Sequence, residues 1–231
     1  MIGTRAPWRA IAYLASYLVA GPLLFAFLVG VLLIAAIANI TWLGLPISIG
    51  AAMVVRGCAA VERNRAALAG PAISGDYRPP AGGVFTRARV LWTDPAMARD
   101  CAYLLALFPI LLVLDAGALL LGCVTIGLLT IPAWFWLMPQ TWPNGETGHG
   151  LMIGSFPDGP EAGGWGLWIG DLPTALIVAV GALIAGALAV APVLIGAARL
   201  HIRFADRLLG PAVDPLAEAK AILAGPGPLP S

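Results

Sequence analysis

From Ala10 to Ala38 the chain carries no charged side chain, and the same holds from Leu172 to Ala198. Two further apolar runs, Ile40–Val55 and Cys101–Thr130, contain a single charge between them, Asp115. A helix of about 20 apolar residues crosses the hydrocarbon core of a bilayer. With 60% hydrophobic and 11% charged residues the chain falls far below the roughly one-quarter charged content of soluble domains. The expected fold class is therefore an all-α integral membrane protein with four transmembrane helices. The Ile40–Val55 run is short and borrows length from a helix that continues through Arg56. Ile131–Trp142, with Pro132, Trp134, Trp136, Pro139 and Trp142, is too short and too rich in Trp to cross, and reads as an interfacial segment. Arg5, Arg9 and the later Ala36-Ile37-Ala38 imitate a secretory signal. Signal apolar regions span only about 7–15 residues, so this longer run is expected to be retained as a span.

All 13 Lys and Arg lie within residues 5–99 or 199–220, and 12 of them are Arg. Positive residues near span ends mark the cytoplasmic side. Arg5, Arg9, the Arg56–Arg99 stretch and Arg199–Lys220 are thus expected inside, with both termini cytoplasmic in a multi-pass plasma-membrane protein. The loop from about 137 to 171 carries Glu146, Asp158, Glu161 and Asp171 without Lys or Arg, and is expected outside. Trp42, Trp134, Trp136, Trp142, Trp165 and Trp168 gather on that outer side, Trp8 and Trp92 at the inner one. The Gly and Pro content of the loop argues against much regular structure there.

Internal similarity organises the rest. "WRAIAYLASYL" (Trp8–Leu18) resembles "ARDCAYLLALF" (Ala98–Phe108), and "LGLPI" (Leu43–Ile47) resembles "LTIPA" (Leu129–Ala133). "GCAAVERNRAALAGPAI" (Gly57–Ile73) is echoed by "AARLHIRFADRLLGPAV" (Ala197–Val213). This predicts two parallel repeats, residues 1–98 and 99–213, each with two spans followed by a basic amphipathic cytoplasmic helix, then a cytoplasmic tail over 214–231. In the second basic helix Arg199, Arg203 and Arg207 form one stripe, and Leu200, Phe204 and Leu208 the next. In the first, Arg56 and Arg63 play the part of the basic stripe. These eight residues are the candidate contacts to lipid headgroups or to a protein partner.

The residues Ala12-Tyr13-Leu14, Gly44-Leu45-Pro46, "RGCAAVER" (Arg56–Arg63), Asp100, "YLLALFP" (Tyr103–Pro109), "LLTIPAWFW" (Leu128–Trp136) and "FADRLLGP" (Phe204–Pro211) form a recurring landmark set. From about Trp8 to Val213 the chain resembles the sensor-domain family of bacterial histidine kinases, common in high-GC Gram-positive bacteria. That resemblance implies a non-enzymatic, membrane-embedded sensor-like module in signal transduction. It would act through a cytoplasmic or membrane partner, such as a histidine kinase in trans. No kinase follows the last basic helix, so the module is expected to stand alone.

Catalytic patterns are sparse. The one lysine, Lys220, excludes a G-x-x-x-x-G-K phosphate loop. Cys58, Cys101 and Cys123 lack C-x-x-C spacing and read as small core residues. His149 and His201 fall on opposite sides of the expected membrane and read as ordinary polar residues, so neither a metal site nor a bound cofactor is expected. Nothing pairs basic with aromatic residues as nucleic-acid binding does. Asp115, roughly 22 Å into its span at 1.5 Å per residue, is the candidate functional residue, because an intramembrane carboxyl is costly to keep charged. Its repeat counterpart is Phe25. Small residues from Gly181 to Ala189 permit close helix packing, within the bundle or in a homodimer. The alternative to a sensor module is an accessory subunit of a larger membrane complex or transporter.

Overall fold

Each of the four apolar runs folds as helix. In this computed structural model, residues 5–212 are described except 42, 80, 81, 143, 158 and 160–162. The expectations for Trp42, Asp158, Glu161, Lys220 and the tail 214–231 lie outside the described residues. Four helices are long and apolar enough to cross a membrane: Arg5–Ala38, Gly44–Ala66, Phe108–Ala133 and Leu172–Leu209. The chain is mostly helical. It divides into two compact units, one drawn from Met1–Ile11 and Leu114–Ala197, the other from Ala12–Val113 and Ala198–Ser231.

In the second of these units, α1 (Arg5–Ala38) and α2 (Gly44–Ala66) form a hairpin. It is closed at the turn by Asn39, whose amide donates to Ala35 O and to Ser48 Oγ, each at 2.8 Å. Gly44 sits where any Cβ would press on the Ala38–Asn39 backbone, so the tight turn requires glycine. As the sequence suggested, α2 continues unbroken through Arg56, so the Arg-bearing segment is the second half of the span helix. The uncharged part, Gly44–Val55, is roughly 18 Å long at 1.5 Å per residue, short of the ~30 Å hydrocarbon core. α2 is also the most covered of the four. Its apolar window is 39% buried, against 17–22% for the other three.

That cover comes from α3 (Val84–Thr93) and α4 (Pro95–Cys101). Asp94 caps α4 by accepting from Ala96 N at 3.0 Å, with Pro95 in the first turn where its missing N–H costs nothing. Ala88 and Leu91 are the buried face of α3. Trp92 donates its indole N–H to Ser48 O at 3.1 Å, beside the start of α2. α3 thus lies along the Ser48–Arg56 half of α2. The apolar face of this short helix is satisfied by the side of α2. A π turn, Ala102–Ala106, then leads into α5 (Phe108–Thr130). The core of this unit gathers Tyr17, Leu28, Val55, Met97, Tyr103 and Leu111 with Ala205 and Leu209 of α7 (Ala191–Leu209).

The other unit is built on the remainder of α5, two 3-10 turns (Ile131–Ala133 and Phe135–Leu137), two β-hairpins, and α6 (Leu172–Ala185). A second π turn, Gly186–Val190, joins α6 to α7. Asp171 caps α6, accepting from Thr174 N at 2.7 Å. Ile131, Phe135, Ile169 and Ala175 form its core cluster. The loop expected to lack regular structure in fact holds β1 (Pro139–Thr141) paired with β2 (Thr147–His149), and β3 (Leu151–Ser155) paired with β4 (Trp165–Ile169). The glycines do not break the second hairpin; they make it possible. Gly154 and Gly166 face each other across the pair at φ 132° and 128°, so close that a Cβ on either would overlap the opposite backbone. Trp142 packs edge-on against Trp168, ring centroids 5.4 Å apart.

Candidate functional site

His201 lies on the face of α7 that carries Ala198, Ala205 and Leu209, and all four are buried. It is completely enclosed. Three elements supply its neighbours. From α1, the rings of Tyr13 and Tyr17 meet it edge-on at centroid distances of 5.1 and 4.5 Å. From α2, Arg65 Nη2 comes within 3.5 Å of His201 Nε2. From the π turn, Tyr103 Oη stands 2.9 Å from the same nitrogen. With a guanidinium facing it, Nε2 presents its lone pair, so the Tyr103 hydroxyl donates to it. Glu62 Oε2 is the competing acceptor, at 3.3 Å.

Arg65 organises the rest of this knot. Its Nε and Nη2 hold the Glu62 carboxylate at 3.2 and 2.8 Å, one helical turn away. Its Nη1 donates to Tyr13 O at 2.8 Å and to Ser16 Oγ at 3.1 Å. The guanidinium also stands over the faces of Tyr13 and Tyr17, 4.3 and 4.7 Å from their centroids. A buried ion pair survives only when its remaining donors and lone pairs are satisfied. Here Tyr13 O, Ser16 Oγ and the Tyr13 and Tyr17 rings of α1 do that work, together with Tyr103 of the π turn and His201 of α7.

A second network lies beside it. Arg63 is buried, donates to Tyr77 Oη at 2.8 Å, and reaches Leu209 O at 3.5 Å. The Tyr77 hydroxyl in turn donates to Asp100 Oδ2 at 2.7 Å. Burial pushes the Asp100 carboxyl up to about 6, against the opposing pull of that hydrogen bond and of Arg63, Arg56 and Arg99. Burial and the bond to Asp100 likewise raise Tyr77 to about 12. Arg56 pairs with Asp94 at 2.8 Å and stacks over Tyr77 at 4.3 Å.

The residues singled out from the sequence therefore divide. Arg56 and Arg63 are tied into protein networks. Arg199, Arg203 and Arg207 are exposed, as is Leu200. Phe204 and Leu208 are half-buried against the core of their own unit. Asp115 is fully buried in α5. Of the cysteines only Cys58 is buried, and Cys123 is exposed on α5. His201, read from sequence as an ordinary polar residue, is the centre of the knot. Its signal was legible: it interrupts the apolar face at Ala198, Ala205 and Leu209, opposite the arginine stripe. Glu62 and Arg65 share the same pattern with Val55, Cys58, Ala59 and Ala66 on α2.

No group of three or more His, Cys, Asp or Glu suited to a metal ion occurs among the described residues. No curated protein and no solved structure matches the chain significantly. A family model described as "Putative sensor" matches residues 13–209, and the chain belongs to that family.

Proposed function

We propose that the chain is a multi-pass plasma-membrane sensor-like module, without catalytic activity of its own, that passes changes in its spans to a partner through the end of α7. The observation that carries this reading is the knot around His201. One side chain of α7 is held at once by α1, α2 and the π turn before α5, and Arg63 holds the α7 terminus through Leu209 O. A shift of any of these helices changes the fit at His201, and a polar knot has few alternative arrangements. The exposed Arg199, Leu200, Arg203 and Arg207 are then the surface for a membrane or cytoplasmic protein, such as a histidine kinase in trans. Phe204 and Leu208 serve the fold.

The two-repeat organisation also belongs to this reading. Tyr13 and Tyr103, equivalent in the repeat alignment, both touch His201, as expected if two related units converge on one reporting helix. In the topology we propose, four spans place both termini and the basic ends of α2 and α7 in the cytoplasm, with the hairpins outside. Ser155 and Ser74 are both exposed, and Ser74 lies next to Gly75, which abuts Arg63 at the basic end of α2. In a cysteine-free background, Ser155→Cys should react with an impermeant thiol reagent on intact cells and Ser74→Cys should not. Labelling of Ser74→Cys from outside would overturn the topology. For the partner, a photo-crosslinking residue at Arg203 or Arg207 should capture one discrete protein in the native host. Cross-links to lipid alone would reduce these helices to anchors.

A further inference from the structure

A cleft of about 320 Å³ opens at the basic end of α2 and α7, between the segment Asp76–Pro79 and the start of α4, with Ala212 at its edge. Arg78 and Arg99 both line it. Among the described residues neither makes a side-chain ion pair, and Arg99 Nε is buried without a hydrogen-bond partner. The acids nearby are already engaged. Asp94 accepts from Arg56 and Arg78 N on Oδ2 and from Ala96 N on Oδ1. Asp100 is taken by Tyr77 and lies 3.9 Å from Arg63. Asp76, beside them, is exposed, and Asp100 attracts Arg99 only from beyond ion-pair distance, so neither guanidinium has a directly paired acid. A buried donor left unpaired calls for an acceptor, and planar guanidinium forks match phosphate oxygens.

We propose that this cleft binds a phosphate group through Arg78 and Arg99. The volume suits a headgroup-sized ligand, and basic pockets at the cytoplasmic ends of spanning helices take anionic lipid headgroups. That setting rests on the topology proposed above; the site itself rests on the two arginines. Because Tyr77 and Asp94 tie the cleft to Arg63 and Arg56, an occupant would bear on the same helix ends that hold α7.

The full chain in neutral detergent is titrated with short-chain phosphatidylglycerol, with short-chain phosphatidylcholine, and with inorganic phosphate, and bound species are read by native mass spectrometry. Detergent removes sidedness, so this result stands apart from the topology. One phosphatidylglycerol per chain should bind at least about ten-fold more tightly than phosphatidylcholine. Arg78→Gln and Arg99→Gln should each weaken it by about ten-fold, whereas Arg89→Gln, on an exposed part of α3, should not. Binding of inorganic phosphate alone, with the same dependence on Arg78, would support the site and identify a soluble phosphate as its source. Equal binding to wild type and Arg78→Gln, or no preference for phosphatidylglycerol together with no binding of phosphate, would overturn it. Arg78 is exposed, so its variant reads out even if Arg99→Gln does not fold.

Discussion

Glu62 and Arg65 are 1% and 8% exposed, and the pair is the electrostatic centre of the helix knot. Replacing Arg65 with Met removes the charge that Glu62 was buried against, along with the donors to Tyr13 O and Ser16 Oγ. Breaking a buried pair in this way costs about 3–5 kcal/mol. For a chain of this size each kcal/mol moves Tm by roughly 2–4 °C, so a fall of roughly 6–20 °C is expected. Converting both members, Glu62→Leu with Arg65→Met, removes the stranded carboxylate as well. The double variant should therefore melt above the Arg65→Met single variant, with a coupling energy above about 1 kcal/mol in the double-mutant cycle. Thermal unfolding in lipid nanodiscs, followed by intrinsic Trp fluorescence, gives all four values. If the two single losses simply add, or if Arg65→Met melts within about 2 °C of wild type, the reading of this pair as a mutually dependent buried unit is refuted.

Two other predictions follow from the same geometry. Asp100 has its carboxyl raised from 3.8 to about 6 by burial, so the folded state binds its proton more tightly than the unfolded state does. Its stabilising contribution is full below about pH 4 and is lost as pH rises through about 6. The Tm of wild type should fall over that window more than that of Asp100→Asn; equal slopes would contradict the assignment. Asp115→Asn should assemble with near wild-type stability, because the amide keeps the shape and volume of the carboxyl it replaces in a fully buried position. Failure to assemble, seen as loss of the monodisperse peak on size-exclusion chromatography, would show that the carboxyl itself is required.

The long apolar helices were legible because uncharged runs of that length have few alternatives to helix, and the continuation of α2 past Arg56 followed from the shortness of its apolar half. What the sequence hid was where polar residues turn inward. The arginines at 199, 203 and 207 advertise an exposed stripe, and they drew the eye from His201 two positions further round. Phe204 and Leu208 look like an interaction face in one dimension, yet the unit's own core claims them. The hairpins were obscured because glycine was read as a breaker. At Gly154 and Gly166 it is the residue that lets two strands approach, flanked by Met152 and Ile153 on one side and by Trp165, Leu167 and Trp168 on the other. The cover that α3 gives α2 depends on long-range packing that no local period reveals.

The central claim is that His201 binds α7 to α1, α2 and the π turn as one responsive element. Amide hydrogen exchange, measured by mass spectrometry on wild type and His201→Phe in nanodiscs, tests it most directly. Segments that share one cooperative unit lose protection together. The account predicts faster exchange in Ala198–Leu209 accompanied by faster exchange around Tyr13–Tyr17 and Ala102–Ala106, with the hairpin Leu151–Ile169 unchanged. An increase confined to α7, or none at all, would contradict it.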